Sequence, residues 1–450
     1  MKKSFLSLTL ILIFKVTLVY PQWVLQGLGY EMATSIPTAI EIACPDVVWV
    51  GLGDQNHTLP LTYSKTINGG QNWTLKQLSA YMAYQPRLIE SIDTNIAWIY
   101  ALKSDTADYY KILKTTDGGQ TWIDLNVVGL DTISIRNLHF YNQNEGILIG
   151  YTSINRFFFA TTPDGGNTWI PVSQANIPQP ISSSEIINNY DKRENFIDDN
   201  VFVITNKGRL LISHDKGFHW VVKNTPLFTG NNVLLPTCVF FNSTHGIIYQ
   251  ENGSIFETFD EGNNWQNISP AGPYYHNITY VPGTFNTLIS SSNPLVNGFD
   301  PGCSFSTDGG HNWTDYPELS GKELAVNSFF NTSTGWVGAK TTLPSPALTG
   351  IYKFTGYFSE ILEIDPQKGG ISLYPNPSVG NVNAVVIGFE GKEIDFNMFN
   401  RLGQVVYSES FLQSYAQSEK TFDFGYLPKG VYMGIFRVGE RIIVKKIVIR

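Results

Sequence analysis

One octapeptide recurs six times, at a spacing that leaves room for only a small structural unit between copies. The copies are TINGGQNW (Thr66–Trp73), TTDGGQTW (Thr115–Trp122), TPDGGNTW (Thr162–Trp169), SHDKGFHW (Ser213–Trp220), TFDEGNNW (Thr258–Trp265) and STDGGHNW (Ser306–Trp313). Their tryptophans are 49, 47, 51, 45 and 48 residues apart. A fixed period of this size marks a repeat architecture, in which each unit buries its apolar face against its neighbours. The pattern reads as a turn. The first Ser or Thr ends a strand. The third residue (Asn68, Asp117, Asp164, Asp215, Asp260 or Asp308) folds its side chain back onto the following N–H groups. The second glycine supplies positive φ without steric cost. The tryptophan (Trp73, Trp122, Trp169, Trp220, Trp265 or Trp313) starts the next strand and fills the space beside the turn. A device repeated in this way is structural, so no catalytic role is expected for the repeated acids.

The sequence between copies completes the unit. Leu138–Tyr141, Gly146–Gly150 and Phe157–Thr162 read as three strands leading into a turn, and a fourth begins at the tryptophan. Four short strands in about 48 residues make one blade of a β-propeller. After the sixth copy, Gly335-Trp336 and Ile351–Phe354 supply the second and third strands of one more unit, which lacks the octapeptide. Its missing fourth strand is expected from the other end of the chain, at Gln22-Trp23-Val24-Leu25. The expected fold is therefore all-β, a seven-bladed propeller (six blades the alternative) closed by its N-terminal strand. Closure removes exposed sheet edges. Composition agrees: charged residues are 15%, aromatics 14%, and there are 40 Gly among 450 residues. Coiled coils are excluded by this usage, and bulk disorder by a hydrophobic content of 42%.

Each copy resembles the Asp box, or bacterial neuraminidase repeat. The family includes sialidases, sortilin-type receptors, some glycoside hydrolases and photosystem II assembly-factor-like propellers, and the chain looks most like the last. That resemblance implies a fold, with no photosynthetic role.

The two ends read differently from the ring. Residues 1–21 have the form of a signal peptide: Lys2 and Lys3, then an apolar run too short to span a bilayer. Residues 22–358 are the expected propeller and 359–370 a linker. Residues 371–450 resemble the type A sorting domain of the Bacteroidetes type IX secretion system. The matching residues are Leu373-Tyr374-Pro375-Asn376-Pro377, Asn400-Arg401-Leu402-Gly403-Gln404, Leu427-Pro428-Lys429-Gly430-Val431-Tyr432 and Val444-Lys445-Lys446-Ile447-Val448. The resemblance implies a small β-sandwich, the secretion machinery as partner, and passage through the periplasm to the medium or the outer cell surface.

Chemistry is sparse. The net charge is −8, and the acidic excess is concentrated in the ring, which disfavours nucleic acid and anionic lipid as partners. No transmembrane segment is expected. Cys44, Cys238 and Cys303 have no metal spacing and read as small buried thiols. No metal or cofactor is expected, and the chain is expected to act as a monomer. The ring holds five arginines, Arg87, Arg136, Arg156, Arg193 and Arg209, and lacks the sialidase arginine motif. Asp54, Asp105, Asp108 and Asp300 are loop acids that a glycosidase of this class could pair. Two aromatic-rich segments, Tyr81/Tyr84/Arg87 and Tyr274/Tyr275/His276, lie on loops expected opposite the repeated turns. They suit an extracellular glycan or protein ligand, although packing between blades is the ordinary role of such rings. The polar stretch 182–200 reads as an insertion whose Asp191, Glu194, Asp198 and Asp199 could face a cation. Asp105-Thr106-Ala107 and Asp131-Thr132-Ile133 resemble Bacteroidetes O-glycosylation acceptors. The sequence thus favours an exported binding module, with an Asp-box glycoside hydrolase as the alternative.

Overall fold

The computed structural model describes residues 23–27, 35–54, 60–103, 110–125, 130, 132–154, 156–187, 195–227, 236–250, 252–269, 277–284, 286–292, 301–340, 350–358, 370–374, 376, 378–400, 404–415, 417–439 and 441–450. The expected signal peptide lies outside them, as do Tyr274, Tyr275, His276, Pro375, Pro377, Leu402, Gly403, Asp105, Asp108, Asp131, Asp191, Arg193, Glu194 and Asp300.

The described chain is all-β apart from short 3-10 turns. Between Trp23 and Phe354 lie seven four-stranded antiparallel sheets, consistent with propeller blades. The first strands of sheets 1 to 7 are Ser35–Cys44, Tyr84–Ser91, Ile133–Phe140, Phe196–Ile197, Thr237–Phe240, Asn277–Tyr280 and Glu323–Asn331. In sheets 1 to 6 the next three strands follow in sequence order. Sheet 7 continues through Thr334–Lys340 and Gly350–Phe354, and its fourth strand is Trp23–Gln26, with Trp23 opposite Phe354 and Gln26 opposite Ile351.

Apolar side chains pack between consecutive sheets. Val48, Val50 and Leu52 of sheet 1 meet Trp336 and Ile351 of sheet 7. Trp49 and Tyr63 of sheet 1 meet Ile99 and Leu113 of sheet 2. The same alternation continues to Val281 and Ile289 of sheet 6, which meet Val337 and Phe354 of sheet 7. Each octapeptide tryptophan enters the cluster between its own sheet and the preceding one: Trp73 before sheet 1, Trp122 before sheet 2, Trp169 before sheet 3, Trp220 before sheet 4, Trp265 before sheet 5 and Trp313 before sheet 6. Trp23 occupies the corresponding place before sheet 7.

The six turns share one hydrogen-bond scheme. In each, the first hydroxyl donates to the third side chain and accepts from the second glycine N–H, as in Thr115 Oγ1 to Asp117 Oδ1 (2.8 Å) and Gly119 N to Thr115 Oγ1 (2.9 Å). The third side chain also accepts from the seventh N–H, as in His219 N to Asp215 (2.8 Å). Gly70, with φ +89°, has no room for a side chain, because a Cβ there would lie 2.3 Å from Trp336. One detail differs from the sequence reading. The fourth strands begin one residue after the tryptophan, at Thr74, Ile123, Ile170, Val221, Gln266 and Thr314, because the indole is drawn into the inter-sheet core. A second difference is in 182–200. Phe196–Ile197 and Asn200–Ile204 are the first two strands of sheet 4, so the end of that polar stretch is the blade itself.

Residues from Gly370 onward form two sheets. One pairs Gly370–Tyr374, Asn381–Ile387 and Gln417–Asp423; the other pairs Val405–Leu412, Glu393–Phe399, Gly430–Val438 and Arg441–Ile449. Their inner faces share a core around Phe396, Phe422, Phe424 and Phe436.

Candidate functional site

The backbone of each repeated turn binds the turn between the first two strands of the same sheet, as in Gly69 N to Asp46 O, Gly118 N to Asn95 O and Gly165 N to Asn144 O. Both turns therefore occupy one end of the sheets. The first and third strands begin, and the second and fourth strands end, at the other end. Repeated turns crowded with internal hydrogen bonds have little left to offer a ligand, so the other end and the first strands are the candidate site.

Tyr81 and Tyr84 flank the connection from sheet 1 to sheet 2, which turns through Ala83 at φ +64°. Their rings meet edge to face with centroids 6.2 Å apart. Both also pack on the core between the two sheets. Lys111 and Asp124 pair beside them at 2.6 Å. The Asp124 bond holds the Lys111 ammonium above the usual lysine pKa, and burial with the nearby Asp124 charge raises the Tyr81 phenol. The half-buried rings thus pack on the inter-sheet core near an ion pair.

Arg87 is exposed and stands at a β-bulge in the first strand of sheet 2, between Pro86 and Leu88. Equivalent bulges fall at Thr38 in sheet 1 and Arg136 in sheet 3. Thr38, Arg87 and Arg136 are 49 residues apart in turn, so one register position in three neighbouring blades carries a re-aimed side chain. Sequence reasoning does not single out Arg136 as a site residue. Its spacing from Arg87, equal to that between Trp73 and Trp122, is the available signal. The Arg136 guanidinium donates to the Tyr151 hydroxyl and lies 4.9 Å from the centre of that ring. Arg209 is separate from this pair. It is buried and forms two 2.8 Å bonds to Glu185. Arg156 is exposed on a different connection.

Three residues beyond the bulges stand Glu41, Glu90 and His139, again 49 residues apart. They are committed to neighbouring blades. Glu41 accepts from Ser91 N (3.0 Å) and Ser91 Oγ (2.8 Å). Glu90 Oε2 lies 3.1 Å from His139 Nδ1. Burial raises the Glu90 carboxyl to about 8 and lowers the His139 imidazole to about 3, so the pair is neutral near pH 7. Asp54 ends the second strand of sheet 1. Among the described residues no group of His, Cys, Asp and Glu has the arrangement of a metal site. Asp198 forms a turn at φ +52°, and Asp199 pairs with Lys216 at 3.8 Å. The three cysteines are free, with Cys238 and Cys303 buried and Cys44 partly so.

In the C-terminal domain, Asn376 Oδ1 accepts from Val448 N at 2.9 Å, tying the first expected motif to the last strand. Gly430 opens the strand beside that last one, opposite Ile449, while Lys445 and Lys446 lie opposite Gly434 and Met433. Tyr374 is buried. No helix among the described residues is long and apolar enough to cross a membrane.

Comparison with known proteins adds two findings. Residues 372–450 match the family described as "Secretion system C-terminal sorting domain", which supports export through the periplasm to the outside or the cell surface. No curated protein matches the chain. Among solved structures, "YCF48 from Cyanidioschyzon merolae" is similar at a TM-score of 0.54 and 17% identity, covering 74% of this chain and 98% of that one. "YCF48 bound to D1 peptide" is similar at 0.53 and 16%, covering 75% and 97%. A GH74 xyloglucanase from Xanthomonas campestris reaches 0.47 and 12%, covering 82% and 60%. What the chain shares with the two YCF48 structures is a propeller-like fold, and its C-terminal residues carry a secretion sorting domain.

Proposed function

We propose that the chain is an exported binding module: a seven-bladed Asp-box propeller, closed by the Trp23 strand, that holds a peptide or glycan at the end away from its repeated turns. The carrying observation is the division of labour along the first strands. In sheets 1 and 2 the carboxylates there, Glu41 and Glu90, are spent on contacts between blades, and Glu323 at the start of the sheet 7 strand is half-buried, whereas the re-aimed cation Arg87 is exposed. A hydrolase of this class needs two carboxyl groups about 5–10 Å apart across a substrate path. A binder needs a cation and aromatic surface, as offered by Arg87 and, three residues back along its strand, Tyr84 with Tyr81. The similar fold of a YCF48 described with a bound D1 peptide makes an extended peptide a reasonable first ligand to try. The sorting domain then serves as the export address.

The test is a binding screen of the full chain against peptide and glycan arrays, with hydrolysis followed in parallel. Binding without turnover, weakened about tenfold or more by Arg87→Ala, is the expected result. Turnover of any glycoside, or binding indifferent to Arg87, overturns the proposal.

A further inference from the structure

The residue just before the end of the third strand differs from sheet to sheet. In sheets 1, 2 and 7 it is a lysine, and each reaches the next sheet's repeated turn: Lys65 to Gly118 O (3.0 Å), Lys114 to Gly165 O (3.3 Å) and Lys353 to Gly69 O. In sheet 5 it is Glu257, only 2% exposed. Its carboxylate lies 2.9 Å from His245 Nε2 and 2.8 Å from His311 Nε2. His245 is fully buried just before the second strand of the same sheet. His311 belongs to the repeated turn of sheet 6, at the position held elsewhere by Gln71, Gln120, Asn167, Phe218 and Asn263. A buried acid carrying two imidazoles is more than a turn needs.

The outer imidazole leads to the C-terminal domain. The ring of His311 stands 6.5 Å from that of Tyr374. Tyr374 is hydrogen-bonded to Glu419, on the strand Gln417–Asp423. Glu419 keeps an exposed flank, but its carboxyl is crowded against Tyr374 and feels the charges of Glu257, His311 and His245. Asp308, in the same turn as His311, adds one more negative charge to the group. Three carboxyls from two domains thus converge on two imidazoles.

We propose that the turn end of sheets 5 and 6 is a docking seat for the chain's own C-terminal domain, and that loss of protons releases it. Docking sets Glu419 against Glu257, and His311 is the cation that offsets the repulsion. Burial would lower the His311 pKa, but its bond to Glu257 and the charges of Glu257, Asp308 and Glu419 outweigh that and raise it. Burial also raises the Glu419 pKa, with the Glu257 charge adding to it, against the Tyr374 bond and the imidazoles. Glu257 stays the anion: burial pushes its carboxyl up, and its two imidazole partners more than reverse this. Of the charges that raise the His311 pKa only that of Glu419 arrives with docking, and docking brings the Glu257 charge to Glu419, so through this contact each group holds its proton more tightly and docking takes up protons. The His311 contribution disappears as pH rises through its docked value. The Glu419 contribution also declines as pH rises. Both push the same way. The docking constant falls by up to about tenfold per pH unit for each proton released. Acid pH parks the sorting domain against the propeller, and alkaline pH frees it for other contacts.

Small-angle X-ray scattering of the full chain between pH 5.5 and 8.5 tests this. The wild-type radius of gyration is expected to grow as pH rises. Glu419→Gln removes the charge collision, and its chain should stay compact at pH 8.5. His311→Asn removes the offsetting cation, and its chain should open at lower pH than wild type. Glu393→Gln, on the other sheet of the C-terminal domain, should behave as wild type. If His311→Asn does not fold, Glu419→Gln still decides the matter from the other side of the seat. A wild-type profile that ignores pH, or a Glu419→Gln profile that overlays wild type, overturns the proposal.

Discussion

Trp23 and Phe354 are register partners on neighbouring strands, their rings 5.3 Å apart, although 330 residues separate them in sequence. Trp23 also meets Tyr316 and Phe329 edge to face, each with centroids 5.8 Å away. One indole from the N-terminal strand therefore fills the cluster between sheets 6 and 7 and completes sheet 7. Trp23→Ala should cost about 3–5 kcal/mol, the usual loss for a buried large aromatic. Its strand neighbours Val24 and Leu25 are 43% and 41% exposed, so alanine there should shift stability by only about 0.5 kcal/mol. Urea unfolding of the three variants separates loss of the indole from general weakening of the strand.

Glycine substitutions should sort by space. At Gly70, alanine meets both a φ of +89° and Trp336 at 2.3 Å. The conformational cost is about 1–2 kcal/mol and overpacking adds about 1–3 kcal/mol. Gly391 has a φ of +73°, but an added methyl there would meet nothing within 4 Å, so Gly391→Ala should carry only the conformational part. Denaturant midpoints for the two alanine variants test the difference.

The repeated turns are legible in the sequence because their chemistry is local: hydroxyl, carboxylate, glycine and indole sit within eight residues; the strand at Trp23 is legible because Trp23-Val24-Leu25 has the form of the segments that follow those turns. The bulges at Arg87 and Arg136 are not, because a bulge is defined by the partner strand as much as by its own residues. Phe196–Ile197 is hidden for a related reason: a two-residue strand inside a polar segment has no period to detect. The Glu257 cluster is beyond reach, since His245, His311 and Glu419 come from two sheets and a second domain. Tyr81 and Tyr84 stand out by composition, and their half-buried packing shows how far composition can go.

Glu90 offers a pH test. Its carboxyl is raised by burial to about 8, whereas in the unfolded chain it ionises near pH 4.3. A raised acid is protonated when folded, so its contribution to stability declines as pH climbs from about 4.3 to about 8. Glu90→Gln cannot ionise and keeps a neutral group beside His139. Above about pH 6.5 the imidazole is uncharged in both folded and unfolded chains. In that range the variant should be more stable than wild type, by a margin that grows up to about pH 8. Thermal unfolding at pH 6.5, 7.5 and 8.5 reads it directly.

The Glu185–Arg209 pair should respond to the removal of either member. Glu185 is fully buried, and Arg209 grips it through Nε and Nη2 at 2.8 Å each. Arg209→Met leaves a carboxylate buried without its cation and should cost about 3–5 kcal/mol. Replacing both residues with apolar ones of similar volume should recover much of that loss. A double-mutant cycle in urea measures the coupling.

Asp117 and Asn68 occupy the same position in successive turns, one able to ionise and the other not. The Thr121 hydroxyl bond (2.6 Å), the Thr121 N–H and the other turn donors hold the Asp117 carboxyl at about 2. A depressed acid contributes stability that is full above its unfolded pKa of about 3.9 and is lost as pH falls through about 2. Asp117→Asn reproduces the chemistry of the first turn and discards the charge. The variant should be less stable than wild type at pH 7, with the gap narrowing below about pH 4 and nearly gone at pH 2. Urea midpoints at pH 7, 4 and 2.5 check the convergence. A gap of constant size would show that the carboxylate acts through shape alone and that its ionisation contributes nothing to the turn.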